Sequence, residues 1–199
     1  MDDSVFVKGH SHDAPEMSAD ADPPSFPGYI HPRFIDAVVL VNGTLRNSGA
    51  VWSIGGDLAD AMREVDVRPE SVELFTDEGG ASKIHNAVRG YKPTELKVVE
   101  QRLPRDAEIE GAKRPVFIRS HFFEFAVGGV DFSVHGDMQY KVGDWEWGDA
   151  LDFIPEEINI VGEKFSIVPL VFRIDLYRGL GWTDRADAIT RAIARTLGH

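Results

Sequence analysis

The sequence predicts an α+β fold, a mixed β-sheet flanked by helices and followed by a C-terminal helical segment. Three observations predict it. A short apolar strand runs through a glycine pair into an amphipathic helix and then into a second strand carrying an acid (residues 51–76). Further on, two period-two segments meet at Gly128-Gly129 as a hairpin. Near the end, Ala186, Ile189, Ile193 and Leu197 recur at helical spacing.

Taken in order, residues 1–28 read as a disordered acidic arm. Asp2, Asp3, Asp13, Glu16, Asp20 and Asp22 face a single Lys8, and four prolines interrupt the stretch. Too few apolar side chains are present to offset the entropy of ordering. His10, His12 and Asp13 offer metal-binding atoms with nothing to fix their geometry, so a solvated tail is the simpler reading. At Pro32 the pattern is ambiguous. A helix opened by Pro32 would present Phe34, Val38, Val41 and Leu45 on one face and end at Gly49. A hairpin turning at Asn42-Gly43 fits the same valine run.

Beyond it, residues 51–54 read as a strand, Gly55-Gly56 as a turn, and Leu58, Ala61, Met62 and Val65 as one helical face. In the strand 71–76, Val72 and Leu74 point one way and Glu73 and Phe75 the other. Ala81, Ile84, His85, Val88 and Tyr91 mark another helix. Leu96 and Val98 begin a strand. The hairpin 116–127/130–135 follows, with Asp131, Ser133 and His135 on one face of its second strand. A loop holding Trp145 and Trp147 leads to two C-terminal helices, the last capped by Thr183.

Composition narrows the chemistry. The chain has 199 residues, no cysteine and a formal net charge of −12. Disulfides, zinc–thiolate sites and thiol catalysis are excluded. So acidic a surface disfavours broad binding to phosphate backbones. No apolar run is long enough to span a bilayer, and the first residues lack a basic, apolar leader, so a cytoplasmic location is expected.

The order strand, glycine pair, helix, acidic strand, helix, later acidic strand suits nucleotide chemistry. Glycines let a triphosphate approach backbone amides, and carboxylates on neighbouring strands share divalent ions. These residues resemble the minimal nucleotidyltransferases of the DNA polymerase β superfamily. Ile54-Gly55-Gly56 matches that family's turn, Ser71-Val72-Glu73-Leu74 its Asp-x-Asp strand, and Val130-Asp131 its third acidic position. Phe75-Thr76-Asp77 with Gly80-Ala81 and Ile84, then His135-Gly136-Asp137 and Trp145, and finally Val168-Pro169-Leu170 through Tyr177, Leu180 and Gly181, extend the likeness over residues 33–190. The resemblance favours a helix at Pro32.

What the resemblance implies is a core over 29–165 with a helical segment, 166–199, packed on it. It implies Mg²⁺- or Mn²⁺-dependent transfer of a nucleoside monophosphate from an NTP to an acceptor hydroxyl. Gly55 and Gly56 would hold the triphosphate. Glu73 and Asp131 would bind the metal and, with Ser71, make up the catalytic set. A protein or small molecule is expected as acceptor ahead of RNA, no membrane is implied, and a homo-oligomer is left open. The departure is Ser71, a neutral hydroxyl where the family has its first Asp. Two alternatives follow. One is a catalytically impaired member acting as a nucleotide-binding or protein-interaction module, as in a toxin–antitoxin-like pair. The other is a small α+β metal-binding protein using His121, Asp131 and His135. Trp145 and Trp147 as base-stacking groups, and Arg114 and Arg119 as phosphate contacts, are weighed against ordinary surface packing.

Overall fold

The computed structural model describes residues 30–109, 112–160 and 162–197. The expected arm, with His10, His12 and Asp13, lies outside the described residues.

The ambiguous first segment is a helix, α1 (Pro32–Leu45), with Pro32 at its start and His31 as its cap. All four expected face residues, Phe34, Val38, Val41 and Leu45, are buried. Gly49, with φ +70°, turns the chain four residues later. Strand β1 (Trp52–Gly55) passes directly into α2 (Gly56–Ala61), with no loop residue between them. That helix is shorter than its apolar pattern. Glu64 adopts φ +62°, and the Val65 amide bonds back to the Asp60 carbonyl. Val65 therefore leaves the α2 face and joins a different apolar cluster.

Strand β2 (Val72–Thr76) alternates as expected, and α3 (Glu78–Ala87) follows, capped by the Asp77 carboxylate on the Gly80 amide. The helical pattern continues to Tyr91 only as a separate 3₁₀ turn, Arg89–Tyr91. Three long strands come next: β3 (Lys97–Ile109), β4 (Ala112–Val127) and β5 (Val130–Val142), the last two joined at Gly128-Gly129. The stretch expected as loop before the C-terminal helices contains one more hairpin, β6 (Glu156–Ile160) with β7 (Glu163–Ile167). Its strands are five residues each, and β6 is a half-exposed edge, so its alternation carries little apolar contrast. Helices α4 (Leu170–Gly179) and α5 (Thr183–Leu197) close the described chain, with Thr183 the first helical residue.

The seven strands form one mixed sheet in the order β3-β4-β5-β2-β1-β7-β6. Two pairs are parallel, β2 with β5 and β1 with β7; the others are antiparallel. On one face, α1 and α3 cover Phe123, Phe125, Phe132 and Val134, with Phe125 and Phe132 stacked at 4.9 Å. Each fully buried aromatic or branched side chain of this layer contributes about 1.5–3 kcal/mol of burial. On the other face, α4 and α5 pack a second cluster, including Val65, Val116, Val142, Ile174, Trp182 and Ile189. The antiparallel register of β4 and β5 slips between Arg119 and His121, and Asp137 sits there with φ +47°. This bulge resets the alternation of β5.

Candidate active site

Between the sheet and α4/α5 lies a cavity of about 450 Å³. Strands β2, β4 and β5 supply its floor. Glu73 of β2 lies beside Ser133 of β5, which lies beside Glu124 of β4, and all three line the cavity. Because residues paired across a sheet share a face, this row carries two acids across three strands. Helix α4 contributes Phe172, Arg173 and Tyr177 to the roof, and α5 contributes Arg185.

The glycine pair is fitted to this floor. A Cβ on Gly55 would overlap the Phe75 ring, and one on Gly56, where φ is +60°, would lie 2.6 Å from the Glu73 carboxyl carbon. Glycine is therefore favoured at Gly55 by close packing on the Phe75 ring, and at Gly56 chiefly by the left-handed backbone, with the Glu73 carboxyl group crowding any side chain there. Both glycines line the cavity.

Above them is a network of buried charge. Arg173 pairs with Asp60 at 2.7 Å, both side chains being almost fully buried. The same guanidinium donates to the Gly56 carbonyl and to the Tyr177 hydroxyl oxygen. Arg185 pairs with Asp57 in a half-exposed position at the cavity wall. Burial raises Asp60 to about 6, with the Arg173 charge opposing. Burial also raises Glu73 above the usual carboxylate range, against Arg173 and with help from the negative charge of Asp57. Tyr140 is raised by burial, chiefly, so its phenol stays neutral.

Strands β2 and β5 are neighbours, and Asp131 lies two residues before Ser133 on the same face as Glu73. Asp131 is exposed, pairs with Ala126 near the hairpin tip, and is not among the residues lining the cavity. Ser71 lies one residue before β2, half-buried and outside the lining. The sequence reading missed Asp57, Asp60, Glu124, Arg173, Tyr177 and Arg185. Two signals pointed to some of them: Asp57 follows the glycine pair directly, and Arg173 and Tyr177 stand one helical turn apart.

The set His121, Asp131 and His135 does not converge. His135 lines the cavity, whereas His121 pairs with Gly136, whose absent Cβ would point at Ala81 and the Asp77 carbonyl on the α3 side. The two imidazoles therefore lie on opposite faces of the sheet. His135 packs with Phe75 and Phe122 and bonds through Nδ1 to the Ser120 hydroxyl at 3.1 Å. Burial lowers it to about 4, so it is neutral. Trp145 and Trp147 lie outside the cavity. Arg114 stacks on Trp145, Arg119 and Lys141 stack on Trp147, and Arg119 also binds the Gln139 amide oxygen. These arginines tie the tryptophan loop to the sheet.

Among the described residues no helix is long and apolar enough to cross a membrane. No protein-family model matches the sequence, and no curated protein is significantly similar to it. Solved structures do match. The crystal structure of a Thermotoga maritima protein assigned as a nucleotidyltransferase superposes with a TM-score of 0.62, at 22% identity over 84% of this chain and 96% of that one. The complex of ANT(2″)-Ia with adenylyl-2″-tobramycin matches at a TM-score of 0.44, with 9% identity over 81% of this chain and 90% of that one. The mixed seven-stranded sheet, its flanking helices and its C-terminal helices make this a nucleotidyltransferase-like fold.

Proposed function

We propose that the protein binds a nucleoside triphosphate in the cavity between the sheet and α4/α5 and transfers the nucleoside monophosphate to an acceptor hydroxyl. The observation that carries this reading is the convergence of Glu73, Gly55-Gly56 and Arg185 on one cavity in a nucleotidyltransferase-like fold. Glu73 lines the cavity and suits one divalent ion arriving with the nucleotide, and Asp131, on the same face but outside the lining, is the proposed second carboxylate. Mg²⁺ is commonly held by one or two carboxylates together with substrate phosphates. A bound ion there would neutralise charge on the triphosphate. Ser71 leaves the chain one carboxylate short of a two-ion set.

The chain's own groups have distinct parts in this reading. Arg185 offers positive charge to the phosphates from the cavity wall. Arg173 fixes the glycine pair through the Gly56 carbonyl and balances Asp60. The apolar wall around Phe172 excludes water from the reacting centre. A second reading, nucleotide binding without transfer, is favoured by Ser71 and by the raised proton affinity of Glu73. In both, the acceptor or partner is proposed to be a protein or small molecule.

Calorimetric titration with ATP, GTP, CTP and UTP in Mg²⁺ tests the site. One of them is expected to bind, and Glu73→Gln, with an unchanged circular dichroism spectrum, to bind it at least about tenfold more weakly. Pyrophosphate release in the presence of a cell extract separates transfer from binding alone. No binding of any of the four, in Mg²⁺ or Mn²⁺, would overturn both readings.

A further inference from the structure

A different set of metal-ligating atoms lies on the opposite face of the sheet. Glu78 opens α3, His121 stands on β4 and Asp137 on β5, and one ligand atom from each lies within 4.8 Å of the other two. His121 Nε2 and Glu78 Oε2 are 3.9 Å apart. It is the one such group of three among the described residues.

Three elements are brought together here by one local device. The register slip between Arg119 and His121 places His121 opposite Gly136. Gly136 admits the close approach of the His121 Cβ and the Asp77 carbonyl, which a side chain would block. Asp137 then follows in the left-handed region, at φ +47°. A bulge of this kind re-aims a side chain.

We propose that Glu78, His121 and Asp137 form a binding site for a zinc-class divalent cation. The donor set is one imidazole and two carboxylates, nitrogen and oxygen ligands of the types zinc accepts, and water can take the fourth position. Tetrahedral ligands about 2.0–2.2 Å from zinc lie roughly 3.4 Å from one another, so the three must draw in slightly. Glu78, with its side chain 66% exposed, has the freedom to swing inward; His121 and Asp137 are held by the strands. A bound ion would pin the first turn of α3 to the β4–β5 bulge. The imidazole distinguishes this site from the proposed Glu73–Asp131 metal set, whose ligands are carboxylates alone and favour magnesium or manganese.

The test is calorimetric titration of the full chain with Zn²⁺, alone and without nucleotide, followed by thermal melting. The expected result is one ion per chain and a melting temperature that rises with zinc, since binding to the folded state alone stabilises it. His121→Ala keeps the Cβ that packs on Gly136, and Asp137→Asn tolerates the left-handed backbone. Each is expected to weaken zinc binding at least about tenfold. Glu73→Gln is expected to bind zinc as the wild type does, which keeps this site distinct from the nucleotide reading. His10 and His12 are controlled by the double variant His10→Ala/His12→Ala, which is expected to retain the ion. Zinc binding unchanged in a folded His121→Ala, or lost in the arm variant, would overturn the proposal, as would no binding at all.

Discussion

His135 offers a quantitative test of the buried cavity floor. The residue is 5% exposed, its ring packs against Phe75 and Phe122, and burial lowers it from the usual 6.5 to about 4. Below pH 6.5 the unfolded chain gains a proton at this residue that the folded chain refuses. Stability from this group is therefore complete above pH 6.5 and is lost as pH falls towards 4. At about 1.4 kcal/mol per pKa unit the full loss is about 3.5 kcal/mol, of which roughly 2.5 kcal/mol has gone by pH 4.5. Asp60, raised to about 6, works in the opposite direction, since its folded form gains a proton first as pH falls. Comparing wild type with His135→Gln cancels that contribution. Urea denaturation followed by circular dichroism at pH 7.5 and 4.5 is the assay. The glutamine variant should be less stable at pH 7.5, having lost a packed ring, and should recover about 2.5 kcal/mol relative to wild type at pH 4.5. Stability curves that run parallel across this range would refute the assignment of His135 as a buried, neutral imidazole.

Three more outcomes follow from particular contacts. Gly56→Ala should destabilise by about 1–3 kcal/mol in urea titration, because it forces a side chain into a left-handed backbone and against the Glu73 carboxyl group. A loss under about 0.5 kcal/mol would mean that the turn relaxes freely. Arg173→Met should cost about 3–5 kcal/mol at pH 7, since Asp60 stays buried without its partner; a neutral effect would place Asp60 in contact with water. Ser71→Asp should tighten Mn²⁺ binding in calorimetry by adding a charged oxygen ligand, and equal affinity in two folded proteins would separate Ser71 from the metal position.

Most of the secondary structure was legible because its periods are strong. The β2 alternation and the hairpin at Gly128-Gly129 stand where their side chains predict, whereas the pattern at Pro32 fits a helix and a hairpin alike and only the family resemblance favours the helix that is found. Weak or interrupted patterns misled. The β6–β7 hairpin is short and half-exposed, and the apolar pattern of α2 outlasts its helix because Val65 is captured by the packing of α4 and α5. Alternation in β5 also fails at a definite point. Ser133 and His135 face the cavity, but beyond the bulge Met138 and Tyr140 do so, which no fixed period of two produces.

The candidate site divides in the same way. By itself the sequence determined the α+β class, the glycine pair leading into a helix, and the placement of Glu73 opposite Val72 and Leu74, because these depend on neighbours a few residues apart. Tertiary structure decided the rest. It set Glu73 beside Ser133 and Glu124, sent His121 and His135 to opposite faces, and brought Arg173 from 113 residues beyond Asp60 to pair with it. Such pairings depend on strand register, on one extra residue in a bulge, and on the burial that makes an unpaired charge too costly to keep, none of which is a property of a local stretch of chain.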